Sequence, residues 1–297
     1  MSVALLLLPD FLLIGLGALL RRVRGFEPSF FGGIERLVYF VLFPALLFRS
    51  LATSPLGLGD AGRLGMTGLG FTLGGVALSW LAQPLFRLPH ATFAACFQCG
   101  FRFNTYIALA AAGSLGGEQA LATVGLLIGI LVPVVNVAAV GMLAQGQGQR
   151  IALEIARNPL VLACAAGILW KATALPLPPI VSHVLGLLAS AAVPLGLIAV
   201  GSGLTLASAG LPPAALAWWH GVKLVAMPAL AFALAQLGEL APQERLVAVT
   251  MASVPTAPSA YILATQMKAD GASVALLISS GTLLAAITMP LWIALVA

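Results

Sequence analysis

An all-α polytopic membrane protein is the fold class this sequence predicts, and three observations predict it. Hydrophobic residues make up 61% of the 297-residue chain and charged residues only 8%, where a soluble domain carries about a quarter charged residues. Such a chain cannot cover its surface with polar groups, so lipid is its solvent. The apolar residues also fall into runs of about 20, the length of a bilayer-crossing helix, and mean hydropathy reaches +1.07. Finally, the runs do not alternate polar and apolar residues as the strands of a membrane barrel do.

Ten helices are expected, at about 3–20, 30–51, 64–83, 91–112, 119–144, 157–172, 179–202, 213–237, 244–266 and 271–295. Helix 1 has no basic residues before it and ends at Arg21, Arg22 and Arg24, which reads as an uncleaved first span and not a signal peptide. Gly25 to Pro28 turn the chain into helix 2, which carries Pro44. Ser54 to Gly62 separate helices 2 and 3, Pro89 opens helix 4, and Gly113 to Gly117 divide helix 4 from helix 5. Helix 5 carries Pro133. Beyond a Gln/Gly stretch, Gln145 to Gln149, Pro159 opens helix 6. Pro176 to Pro179 open helix 7, Pro212-Pro213 open helix 8, and Asp270-Gly271 open helix 10.

The Gln/Gly stretch divides the chain into residues 1–145 and 150–297, and the two parts resemble each other. Helix 2 has Pro44 where helix 7 has Pro194, and helix 5 has Pro133 where helix 10 has Pro290. Five spans is an odd number, so the second part enters the membrane from the other side. An inverted five-plus-five repeat is therefore expected, as in many secondary carriers. Eight Lys and Arg residues fall on the side of loops 1–2, 3–4, 5–6, 7–8 and 9–10, and four on the other. That bias puts the first side in the cytoplasm and both termini outside.

Helices 4 and 9 are interrupted midway. The first break, Gln98 to Thr105, holds Gly100, Arg102 and Asn104; the second holds Pro255 and Pro258. Broken helices at corresponding places in two halves mark a transporter's binding site. Arg102 is the sharpest signal, because a guanidinium in a span costs at least ~2.5 kcal/mol and faces a cavity or a partner. Beside it, freed backbone N–H groups favour anions, which suits a carboxylate gripped by two parallel hydrogen bonds. The alternative is a structural role, with Arg102 paired to Asp10 or snorkelling to an interface. Asn104 and Thr105 offer hydrogen bonds to substrate or to the open backbone. Pro255 and Pro258 keep helix 9 from running straight, and Thr256 and Ser259 add hydroxyls. Gln98 and Asn136 either line the same cavity or join helices. Asp10, an intramembrane carboxylate, is the candidate for proton coupling. Lys223 is expected to snorkel to an interface, and Trp218, Trp219 and His220 to form an interfacial belt, with Trp80, Trp170 and Trp292 also near span ends.

Several function classes lose ground. The net charge of +5 comes from basic residues scattered at helix ends, not from a nucleic-acid patch. Cys96 and Cys99 have C-x-x-C spacing, but no second pair exists to complete a metal site. No phosphate-binding loop for ATP and no H-E-x-x-H zinc motif occurs, and no cofactor is expected. An intramembrane enzyme would pair Ser253 or Ser259 with a histidine, yet His90, His183 and His220 lie near span ends. A channel is a further alternative.

Phe103-Asn104-Thr105 in a broken fourth helix, Pro133-x-x-Asn136 in the fifth, Arg157-Asn158-Pro159 opening the sixth and Pro255 in a broken ninth resemble the auxin efflux carrier family. That family includes bacterial permeases for small organic acids and plant auxin exporters. The resemblance implies a fold like that of bile acid–sodium symporters, with a scaffold of helices 1, 2, 6 and 7 and a transport domain of helices 3–5 and 8–10. It also implies crossing of helices 4 and 9, elevator-like movement, a homodimer and a bacterial cytoplasmic membrane. The plant carriers have proline where Phe103 stands, and their long central loop shrinks here to Gln145–Gln149. The expected substrate is a mono- or dicarboxylate, including aromatic acids such as an auxin. Export needs no coupling ion, since one charge leaving gains about 2.3 kcal/mol per 100 mV; uptake coupled to protons or sodium is the alternative. No acidic residue stands at the helix 9 break, where the sodium symporters use one, which weakens sodium coupling.

Overall fold

The computed structural model describes residues 3–23, 26–53, 58–143, 157–204 and 210–296, all in helices and their connections with no strand among them. The Gln145–Gln149 stretch, Arg24 and Arg150 lie outside these residues. In chain order the elements are α1 (Val3–Leu20), α2 (Pro28–Ala52), α3 (Leu58–Trp80), α4 (Ala82–Phe86), α5 (His90–Phe97) and α6 (Thr105–Leu143). Then come α7 (Pro159–Ala172), α8 (Pro179–Ser202), α9 (Pro213–Leu237), α10 (Pro242–Ser253), α11 (Ser259–Gln266) and α12 (Gly271–Val296). Among the described residues, six stretches are long and apolar enough to cross a membrane: Pro28–Ala52, Ala61–Phe86, His90–Leu143, Pro179–Ser202, Pro213–Leu237 and Gly271–Val296. The chain is thus an all-helical polytopic membrane protein.

The long α6 is two helices back to back. Gly116 (φ −147°, ψ 15°) and Gly117 (φ 58°, ψ −145°) leave helical geometry and divide it. Gly117 occupies the left-handed region that only glycine enters without strain. Prolines shape the helices as well. Pro44 and Pro228 each follow a π turn, Val38–Leu42 and Val222–Ala226. A proline offers no N–H to the carbonyl four residues back. At Pro228 that carbonyl belongs to Leu224, and Trp292 Nε1 donates to it at 2.9 Å. Trp292 therefore repairs a helix.

Two sets of helices pack closely. α1 runs along α8, and the second half of α2 lies against α7 and α8. The approach of α1 to α8 is backbone to backbone: a Cβ on Gly17 would stand 2.0 Å from the Ile198 carbonyl oxygen, and one on Gly201 1.8 Å from that of Ile14. Small residues allow such contact between membrane helices. In the other set α9 packs on α3 and α10, and α10 on α6 and α12.

Two expectations about the α9 region need correction. Lys223 is 2% exposed and does not snorkel; Nζ donates to the Ala252 carbonyl. Trp219 is 1% exposed, so it packs the interior and does not belong to an interfacial belt. Its neighbour Trp218 donates Nε1 to the Leu78 carbonyl at 3.1 Å, and His220 shares a hydrogen bond with Ser280.

Candidate functional site

The first break begins where α5 stops at Phe97. Gln98–Gly100 make one 3-10 turn, and the chain then runs without helix to Asn104. Gly100 admits this turn because a Cβ there would stand 1.8 Å from Ser79 Oγ on α3. Asn104 then starts α6. Its Oδ1 accepts the N–H groups of Tyr106 (3.0 Å) and Ile107 (3.3 Å), donors that a helix start leaves over. In the second break α10 ends at Ser253, Val254 is extended (φ −64°, ψ 147°), and helix resumes only at Ser259.

The two breaks lie against each other. The Asn104 N–H donates to the Pro255 carbonyl at 2.8 Å. The Thr256 hydroxyl donates to the Cys99 carbonyl at 2.6 Å, and Gln98 Nε2 to the Ala260 carbonyl at 3.1 Å. Each break thus satisfies backbone groups of the other, as irregular backbone at membrane depth requires. Gln98, Pro255 and Thr256 join the breaks in this way.

Arg102 projects from the first break and is 6% exposed. Its Nη1 donates to Ser259 Oγ at 2.9 Å on the second break, and Nη2 to Asn136 Oδ1 on the second limb of α6. Beside it lies a cavity of about 940 Å³. Arg102, Asn104, Thr105, Asn136, Pro258 and Ser259 line one wall. The lining also includes Glu35 and Tyr39 of α2, and Arg157 and Asn158 at the start of α7. The cavity thus lies between the two sets of helices. The Asn104 Nδ2 is buried without a hydrogen-bond partner, at a cost of about 1–3 kcal/mol for an unsatisfied donor.

Asp10 is elsewhere. Its Oδ2 accepts the Ser114 hydroxyl at 3.4 Å, it is absent from the cavity wall, and no ion pair joins it to Arg102 among the described residues. Tyr106 borders the cavity and stacks at 4.8 Å on Phe43, whereas Tyr261 is exposed. Neither serine weighed as a nucleophile meets a histidine: Ser253 Oγ donates to the Thr250 carbonyl, and Ser259 accepts from Arg102. The three cysteines are free and buried.

Sequence reasoning missed Glu35, Arg36 and Arg157 as cavity residues. The Glu35-Arg36 pair inside an apolar span was the available signal, by the rule that singled out Arg102. Asn158 was noted only as part of an Asn-Pro motif. It caps α7 as Asn104 caps α6, with Oδ1 accepting the N–H groups of Leu160 (3.0 Å) and Val161 (3.3 Å).

A family model described as Membrane transport protein, the domain of the auxin efflux carrier family, matches residues 148–293. The chain carries the auxin efflux carrier domain. The match runs from before α7 into α12 and includes the Arg157-Asn158-Pro159 motif and the second break. A protein with this domain is a membrane transporter, which agrees with the multi-pass helical fold. No curated protein matches the chain.

Proposed function

We propose that this auxin efflux carrier domain protein is a secondary transporter of small organic anions, mono- or dicarboxylates including aromatic acids. The observation that carries the reading is the buried Arg102 guanidinium bordering a cavity where two broken helices meet. Asn104 Nδ2 and the N-terminal end of α6 add donor capacity and positive dipole at the same wall. A thermal-shift screen of mono- and dicarboxylates on the purified protein tests it. At least one acid should raise the melting temperature saturably, and neutral amides of the same acids should not. No response to any carboxylate, or an equal response to the amides, would count against an anion site.

In this reading His90–Leu143 crosses twice, and α1, α7 and the two-part helix of α10 and α11 also cross the membrane, which makes ten spans in an inverted repeat. Helices α1, α2, α7 and α8 form the scaffold, and α3, α5, α6 and α9 to α12 form the transport domain. The cavity has walls from both groups, so movement of one group past the other carries the bound anion across. The protein works in a bacterial cytoplasmic membrane as a homodimer. The Lys and Arg bias puts the N-terminal ends of α2 and α7 at the cytoplasm, and the cavity borders both. A cysteine at position 150 should react with an impermeant maleimide only after cells are permeabilised. Labelling in intact cells reverses the orientation.

Asp10 remains the coupling candidate through its link to Ser114, which connects α1 to the first limb of α6. Asp10→Asn should leave anion affinity unchanged and shift the pH profile of transport in proteoliposomes. An unchanged profile removes Asp10 from coupling.

A further inference from the structure

A second buried cation sits at the crossing, outside the cavity. Lys223 belongs to the π turn Val222–Ala226 of α9, which packs against α10, α12 and the 3-10 turn Gln98–Gly100 of the first break. It is 2% exposed, and Nζ donates to the Ala252 carbonyl at 2.7 Å. Ala252 lies in the last turn of α10, where carbonyls lack intrahelical donors and the helix dipole is negative. The Thr250 hydroxyl, in the same turn, is buried without a hydrogen-bond partner. No salt bridge joins Lys223 to a carboxylate among the described residues.

A buried ammonium without a carboxylate is costly to keep, and here it faces the acceptor end of a broken helix. In secondary transporters such helix ends and unwound carbonyls are where small coupling cations bind. We infer that Lys223 is a tethered cation: its ammonium occupies a cation site at the end of α10, so the crossing closes without a mobile ion. Removing the side chain would open a site of the same chemistry, fit for a small primary ammonium. The inference concerns a residue outside the cavity lining, and its readout needs no transported anion. It stands or falls separately from the cavity assignment.

The experiment measures thermal stability of the full-length protein in detergent. The wild type should melt at the same temperature in sodium, potassium and choline chloride at equal ionic strength; a rise specific to sodium would show that a mobile ion is still needed, and would overturn the inference. Lys223→Ala should lower the melting temperature by about 5 °C. Propylammonium should restore most of that loss saturably, and propanol, of the same size but neutral, should not. Equal recovery by both, or no loss at all, would overturn the inference. If Lys223→Ala cannot be purified, Lys223→Arg and Lys223→Met replace it. Arginine, which keeps the charge, should stay closer to the wild type, and a methionine variant as stable as the wild type would overturn the inference.

Discussion

Replacing Arg102 by alanine should weaken binding of the transported anion about 100-fold. The figure follows from two charge-assisted hydrogen bonds. Each is worth about 1.5–3 kcal/mol, and about 1.4 kcal/mol is tenfold in affinity. The lower end applies because the guanidinium already donates to Ser259 and Asn136, and an incoming carboxylate must compete with or share these bonds. Arg102→Lys keeps a positive charge but loses the planar fork, so about a tenfold loss is expected. Titration of the best stabilising acid by calorimetry checks both variants. An alanine variant that binds as the wild type does removes Arg102 from the site and leaves it a structural role, which includes its bonds to Ser259 and Asn136.

Gly201→Ala should cost more stability than any single cavity substitution. The new Cβ would sit 1.8 Å from the Ile14 carbonyl oxygen, and on the other helix Gly17 meets the Ile198 carbonyl in the same way. The obstacle in both cases is backbone. No rotamer relieves it, so α1 and α8 must move apart. Overpacking that forces backbone shifts costs about 1–3 kcal/mol and at times more; the upper end, about 3 kcal/mol, is expected. The loss should appear as a lower melting temperature and reduced yield, with anion affinity of the surviving folded protein unchanged. An unchanged melting temperature would mean that α1 and α8 are not in backbone contact.

Most helix boundaries were legible because proline punctuates this chain. Pro179, Pro213 and Pro159 each stand at the first position of a helix, where the missing N–H costs nothing. The breaks were legible for the converse reason, since glycine, arginine and two prolines cannot all sit in an unbroken lipid-facing helix. What could not be read was direction. Gln98 and Thr256 looked as able to meet a substrate as Asn136 and Ser259. How the two breaks meet decides which side chains bond to backbone and which line the cavity, and no local pattern encodes that meeting. Lys223 escaped for a related reason. The π turn ahead of Pro228 changes which face of α9 it occupies, so a position that looked one turn from an interface points into the protein. Glu35 was different. Its signal was present, a carboxylate inside the span predicted from residue 30.

Counterflow tests the account most directly. The protein is reconstituted into proteoliposomes loaded with an unlabelled organic acid, chosen as the strongest stabiliser in the thermal-shift screen. They are then diluted into a trace of the same acid carrying a radiolabel. A carrier whose cavity at the crossing of α5–α6 and α10–α11 is exposed to one side at a time predicts transient accumulation of label above its equilibrium level, absent in Arg102→Ala. Label that only equilibrates, with no overshoot, would contradict alternating access and mark the protein as an anion channel.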